Sequence, residues 1–258
     1  MTDPTSLSVL ITGASAGIGA ACVRRFAAAG ARVVGAARRA DRLAALAAEL
    51  GPEARFQPAV MDVGDRASVD AALAGLAPEF ADIDLLIGNA GLALGRGPAQ
   101  AGEIEDWERV VDTNVKGMLY LVHALLPRMV ARNRGHIVTV GSIGGTYPYP
   151  DSNVYGATKA FQHMLSLNLR ADLAGTRVRV TTVAPGLTKT EFAEVRAKGD
   201  RAAADAVYRD IEALLPEDVA DAVFWAATRP AHVNINSLEV MSVAQTFGPM
   251  LRQRDLPD

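Results

Sequence analysis

Val9-Leu10-Ile11-Thr12-Gly13-Ala14-Ser15-Ala16-Gly17-Ile18-Gly19 is the stretch on which the fold turns. Its apolar, β-prone start reads as a short buried strand stopped by Gly13. From Gly17 onward, Ile18, Ala21, Cys22 and Phe26 fall near helical spacing until Gly30 ends the run. A strand that passes through glycines into a helix brings the helix N-terminus, with its free N–H groups and positive dipole end, to the mouth of a sheet. Gly13 permits the tight turn, Gly17 lets backbone approach a pyrophosphate, and Gly19 lets the helix pack closely on the strand. In this context the loop reads as a dinucleotide-phosphate cradle, with Ser15, Ala16 and Ile18 among its contacts.

The same alternation runs on along the chain. Further strands are expected over Arg32 to Ala36, Arg55 to Met61, Ile83 to Ile87, His136 to Val140 and Val178 to Val183, with Leu238 to Met241 completing the sheet. Helices are expected over Asp41 (as the cap) to Leu50, Asp65 to Leu76, Ile104 to Val111, Asn114 to Arg132, Asn153 to Leu173 and Pro216 to Ala227. Strands that are nearly continuous Val, Ile and Leu belong to a parallel sheet buried on both faces. Right-handed crossovers then give a Rossmann-type doubly wound α/β fold, with helices on both faces and a single domain over residues 1–258. A segment at about 187–215 is expected to cover the substrate. Such sheets bind ligands beyond the C-terminal ends of their strands, near the point where strand order reverses.

Bulk properties exclude several classes. Half of the 258 residues are apolar, the formal charge is −3 and the pI is near 5.8. Clustered positive charge, which phosphate backbones require, is missing, so nucleic acid is not an expected partner. No apolar run approaches the roughly 20 residues that cross a bilayer, so no membrane association is expected. The start, Met1 to Ser8, lacks a signal-peptide pattern. One cysteine, Cys22, forms no internal disulfide and reads as a small core residue, which fits a cytoplasmic address. Four scattered histidines offer no metal-ligand spacing, so no metal is expected.

The second strand carries a choice of nucleotide. About 20 residues past the glycine loop, a carboxylate would serve an unphosphorylated adenosine ribose. The chain offers Ala37-Arg38-Arg39 instead. A guanidinium pairs with a 2′-phosphate and stacks on adenine, so Arg38 and Arg39 point to NADP(H).

Thr12-Gly13 with Gly17 and Gly19, Asn89-Ala90-Gly91, Asn114, Ser142, Tyr155-Gly156-Ala157-Thr158-Lys159 and Pro185-Gly186 together resemble the short-chain dehydrogenase/reductase family over nearly the whole chain. The chemistry points the same way. Carbonyl reduction by hydride leaves an alkoxide that needs a proton, and a phenol with an ordinary pKa near ~10 needs nearby positive charge to trade protons near neutrality. Lys159 lies four residues after Tyr155, on the same helix face. The resemblance implies Tyr155 as general acid/base, Lys159 as its activator and ribose anchor, and Ser142 as holder of the substrate oxygen. It implies that Asn114 positions a water linked to the lysine. It also implies cofactor contacts from Asp62, Val63, Asn89, Ala90, Gly91, Tyr155, Lys159, Pro185, Gly186, Thr188 and Thr190. The chain departs from the family at Gly88, where Asn is common, and looser support for the fourth strand is expected there.

Asn153 to Phe161, Thr190 to Asp200 and His232 to Asn236 further resemble one branch of that family, the NADP-dependent 3-hydroxy acid dehydrogenases (serine/allo-threonine dehydrogenases and malonic semialdehyde reductases) and sulfoacetaldehyde reductases. Such short anionic substrates need a cation in the pocket. Arg196 is the expected anchor, beside Ser142 and Tyr155, with Lys189 and Lys198 as weaker candidates. Tyr147 and Tyr149 either border that pocket or pack as aromatics. Two alternatives stay open: a reductase of neutral ketones or sugar alcohols, and a nonenzymatic NADP(H)-sensing module. By family analogy the chain is a homodimer or homotetramer, and the late helices and the tail from Ser237 to Leu256 are compatible with partner contacts.

Overall fold

The computed structural model describes residues 2–247, so the tail beyond 247, including the end of the expected contact region, lies outside the described residues. In chain order the strands are β1 (Ser8–Thr12), β2 (Arg32–Ala37), β3 (Phe56–Val60), β4 (Leu85–Gly88), β5 (Gly135–Val140), β6 (Val178–Pro185) and β7 (Ser237–Val240). The helices are α1 (Gly17–Ala28), α2 (Ala40–Leu50), α3 (Arg66–Ala74), α4 (Pro78–Ala81), α5 (Ile104–Val111), α6 (Gly117–Ala131), α7 (Asn153–Asp172), α8 (Phe192–Arg196), α9 (Arg201–Ala206) and α10 (Pro216–Ala227). All seven strands are parallel, in the order β3-β2-β1-β4-β5-β6-β7.

Alternate residues of the central strands feed two separate cores. Val9 and Ile11 of β1 pack with Cys22, Phe26 and Val223 of α1 and α10, while Leu10 between them packs with Leu121, Leu125 and Met129 of α6. Every residue of β1 is buried, which is why the strand reads as an unbroken apolar run rather than an alternating one. On the first face the Phe26 and Phe224 rings meet edge to face at 5.1 Å, with the Arg25 guanidinium 3.7 Å above Phe224. Cys22 is fully buried there, and burial pushes its thiol up to about 12.

Strand order reverses between β1 and β4, so the loops after these two strands open the crevice where ligands bind in this architecture. Thr12 joins them: its Oγ1 accepts from the N–H groups of Asn89 (3.1 Å) and Ala90 (3.0 Å). The expected looseness at Gly88 is corrected. All four residues of β4 are buried, and a Cβ at Gly88 would lie 2.7 Å from Met118 Sδ, so a methionine of α6 fills the space beside the glycine.

Other boundaries shift for local reasons. Asp41 is not the cap of α2; Arg39 takes that position without a side-chain bond, and Asp41 lies inside the first turn, where its charge complements the helix dipole. Asp65 does cap α3, accepting from Ala67 N. Asn114 does not open a helix. It sits within a π-helical turn, Asp112–Lys116, that joins α5 to α6 in one continuous run. The segment at about 187–215, expected to cover the substrate, holds two short helices, α8 and α9, and Thr188 bridges to Leu214 at its base.

Candidate active site

A cleft of about 630 Å³ opens at the C-terminal ends of β1, β2, β4, β5 and β6. Its first end is built by the glycine loop. Ala16 precedes α1 without any side-chain cap, so the first-turn amides lie beside Ala16, Gly17 and Ile18 on the cleft wall. A Cβ on Gly19 would fall 2.2 Å from the Gly13 carbonyl oxygen, so only glycine lets α1 begin this close to β1. These features fit a bound pyrophosphate: donors without side-chain partners, a positive helix end and backbone unobstructed by side chains.

Arg38 and Arg39 border the same end from β2. Arg39 donates through Nε and Nη2 to Ser15 Oγ (3.2 and 3.1 Å) and through Nη1 to Glu191 Oε2 (3.0 Å). Arg42 reaches the other oxygen of Glu191 at 2.6 Å. Burial raises the Glu191 carboxyl, but the bonds from Arg42 and Arg39 outweigh it and hold the group below its ordinary range. Asp62, Val63, Asn89, Ala90, Gly91, Pro185, Gly186, Thr188 and Thr190 also line the cleft.

Ser142, Tyr155 and Lys159 meet in its middle. Ser142 follows β5, and its Oγ accepts from Gly144 N at 3.0 Å. Lys159 of α7 donates to the Val140 carbonyl at the end of β5 (2.9 Å) and to Gln162 Oε1 (3.1 Å). Its Nζ lies 5.9 Å from the centre of the Tyr155 ring. Gly145 lets the turn after β5 lie against the backbone of α7 at Lys159, because a Cβ there would lie 2.8 Å from the Lys159 carbonyl carbon. Burial lowers Lys159 to about 8. Burial also pushes the Tyr155 phenol above its ordinary range; a hydrogen bond with Ser142 and the charge of Arg196 act in the opposite direction, and Tyr149 adds to the rise.

Asn114 is fully buried behind this group, not on the cleft wall. Its side chain is spent on structure: Oδ1 accepts from Leu92 N, and Nδ2 donates to Leu92 O and Thr158 Oγ1, each at 2.9 Å. Its backbone carbonyl joins the lysine network, accepting from Gln162 Nε2 at 2.7 Å.

Arg196 closes the cleft from α8. Nη1 donates to Tyr149 Oη at 3.3 Å and Nη2 to the Asp151 carbonyl, while Nε is buried with no hydrogen-bond partner. Among the described residues no carboxylate pairs with it within salt-bridge distance. The other two cations separate from it. Lys198 is bound to Glu103 (2.7 Å) and Asp106 (2.6 Å), and Lys189 lies off the cleft wall. Tyr147 borders the cleft as well, with its ring 4.3 Å from that of Phe247.

Sequence reading missed three contributors, Gln162, Glu191 and Gln245. Gln162 shares a helix face with Lys159 at a spacing of three, the one signal that was present. Asn89, already expected beside the cofactor, also steadies the glycine loop by donating to Thr12 O at 2.8 Å. Glu191 bonds both arginines, and Gln245 reaches Leu187 N at 2.7 Å from beyond β7. The last two contacts join residues far apart in the chain, which no local pattern announces.

A family model described as short chain dehydrogenase matches residues 8–201. The chain is 52% identical over 240 residues to the NADP-dependent 3-hydroxy acid dehydrogenase of Escherichia coli K12, covering 93% of this chain and 96% of that one. It is 48% identical over 248 residues to sulfoacetaldehyde reductase 2 of Chromohalobacter salexigens, covering 96% and 98%. Among solved structures, the closed form of a serine dehydrogenase complexed with NADP+ superposes with a TM-score of 0.93 at 50% identity, covering 96% of this chain and 99% of that one.

Proposed function

The chain belongs to the short-chain dehydrogenase family, and from that premise we propose that it is an NADP(H)-dependent oxidoreductase acting on a short anionic hydroxy or carbonyl substrate. Its relatives include an NADP-dependent 3-hydroxy acid dehydrogenase and a sulfoacetaldehyde reductase, whose named substrates share an anionic end and an oxygen-bearing carbon. The single observation that carries the substrate class is Arg196, a guanidinium without an acid partner among the described residues, set on the cleft wall with Ser142 and Tyr155.

In this reading the glycine loop and the start of α1 hold the pyrophosphate, and Arg38 and Arg39 take the 2′-phosphate. Asp62 and Val63 border the adenine, and Asn89 to Gly91, Pro185, Gly186, Thr188 and Thr190 line the rest of the cofactor path. When bound, the nicotinamide supplies or accepts the hydride, and its oxidised ring adds positive charge to the site. Ser142 holds the substrate oxygen, and Tyr155 gives it a proton in reduction or takes one in oxidation. Lys159 keeps a cation beside the phenol and serves as ribose anchor, while Asn114 supports the lysine from behind. Arg196, steadied by Tyr149, fixes the carboxylate or sulfonate. Residues 187–215 cover the substrate.

Homo-oligomerisation is part of the proposal, supported by the exposed apolar positions Phe161, Met164 and Leu167 along α7. So is a cytoplasmic location, in keeping with the single buried thiol. No helix among the described residues is long and apolar enough to cross a membrane. The deciding experiment measures NADPH and NADH oxidation with malonic semialdehyde, sulfoacetaldehyde and neutral ketones. Preference for NADPH with the two anionic aldehydes is expected; faster turnover of neutral ketones would overturn the substrate assignment, and no turnover of any carbonyl would favour a sensing role.

A further inference from the structure

We propose that Gln162 is a positioning residue of the proton-transfer centre, its side-chain amide standing between Lys159 Nζ and the Asn114 carbonyl where family resemblance puts a water. The inference rests on the proposed roles of Tyr155 and Lys159. The amide bridges the two in a fixed sense: Oε1 accepts from the lysine at 3.1 Å, and Nε2 donates to the asparagine carbonyl at 2.7 Å. Gln162 is 2% exposed, so both bonds lie in the interior. The carbonyl it meets belongs to the π-helical turn, where the ordinary helical bonding pattern is interrupted. Further down α7, Ser166 Oγ donates to the Gln162 carbonyl at 2.9 Å and contacts Thr139 of β5 at 3.2 Å, so the helix turn carrying the amide is tied to the sheet.

An amide and a water differ in what they do at this point. A water both donates and accepts and reorients, so it passes protons along. An amide in this orientation accepts at oxygen and donates at nitrogen, and relaying a proton would require its disfavoured imidic form. Gln162 therefore holds the lysine without conducting, and the proton that restores Tyr155 after each reduction comes from the cleft side. The bond to Oε1 favours the charged lysine, as does the bond to Val140 O. The other groups around Lys159 are the Tyr155 ring and, across Gly91, the Asn114 amide; the charged Arg196 faces Tyr155 from α8. Among the described residues, Tyr155 is the one group facing Lys159 directly that titrates.

The test uses the full chain with Gln162→Leu and Gln162→Glu. First, the Lys159 ammonium is titrated in cofactor-free protein by 13C NMR of labelled lysine, with the signal assigned by its loss in Lys159→Met. Losing the acceptor in Gln162→Leu is expected to move the midpoint down by about one pH unit, and the carboxylate of Gln162→Glu to move it up by at least as much. Second, the high-pH limb of NADPH-dependent semialdehyde reduction should follow the same two shifts, while KM for NADPH stays within about twofold of wild type, since uniform binding is untouched. Midpoints that coincide in wild type and Gln162→Glu overturn the proposal, and Gln162→Glu keeps it testable should the leucine variant fail to fold. Tyr155→Phe is run in the same assay: if it turns over normally, the underlying catalytic reading fails, whatever the lysine titration shows.

Discussion

Arg39 Nη1 stands 3.0 Å from Glu191 Oε2, which ties the end of β2 to the segment that runs over the cleft. The same arginine holds Ser15 of the glycine loop through two other nitrogens. A 2′-phosphate arriving at this arginine therefore competes with a carboxylate already in place. Both partners are about two-fifths exposed, so the competing pair is worth little in water, on the order of 0–1 kcal/mol.

Two substitutions separate these roles. Arg39→Ala is expected to raise the Kd for NADPH by about tenfold or more, as loss of a hydrogen bond to a charged group does, while changing that for NADH little. Glu191→Gln, which frees the guanidinium, is expected to tighten NADPH up to about fivefold. Fluorescence titration with both nucleotides checks this, and equal changes for the two cofactors would remove Arg39 from phosphate recognition.

At the other end of the cleft, Arg196→Ala is expected to raise KM for malonic semialdehyde or sulfoacetaldehyde by about 10- to 100-fold and to spare neutral ketones. Arg196→Lys should recover little, because an ammonium cannot keep the fork that now reaches both Tyr149 and the Asp151 carbonyl. Steady-state kinetics on paired anionic and neutral substrates decide it; matched losses on both would show that Arg196 serves the fold rather than the anion.

What could be read from the chain alone follows from how local each feature is. β1 was readable because all five of its residues are buried, so burial and sequence carry one message. Tyr155, Lys159 and Ser142 were readable because two share a helix turn and the third ends a strand. Asp41 misled because a capping side chain is recognised by type, whereas the helix start was set by the backbone of Arg39. The π turn at Asn114 fell between two good helical patterns that differ in phase, and phase breaks look like helix ends. Short α8 and α9 bury little beyond Ala193 and Ala204, so no apolar stripe marks them. Glu191 meets Arg39 across 152 positions, and only folding brings that pair together.

Tyr155→Phe removes one oxygen from the cleft and leaves the ring that packs 5.4 Å from Phe192. Turnover is expected to fall by about 10²- to 10⁴-fold, the usual worth of general acid–base catalysis, with NADPH affinity retained. Because Ser142 hydrogen-bonds this phenol, Ser142→Ala should lower kcat and also move the phenol further up. Near-normal turnover by Tyr155→Phe would refute the proton-transfer assignment.

Lys159 ties activity and stability to pH with opposite preferences. Burial sets its folded pKa at about 8, below the ordinary 10.5. Carbonyl reduction uses the charged lysine, so kcat/KM is expected to hold below pH 8 and to fall as pH rises through it. The stability sign is reversed. Between about pH 8 and 10.5 the unfolded chain binds the proton that the folded chain has lost, so this group's contribution to stability rises with pH across that window. The full span corresponds to about 3 kcal/mol. Cys22 and Tyr155, both pushed up by burial, act the other way at alkaline pH, so the lysine must be isolated by difference. Urea unfolding of wild type and Lys159→Met from pH 7 to 10.5 supplies that difference. Wild type should gain on the variant as pH climbs past 8, while its reductase activity declines over the same range; a constant gap would mean that the lysine titrates in the fold as it does in water.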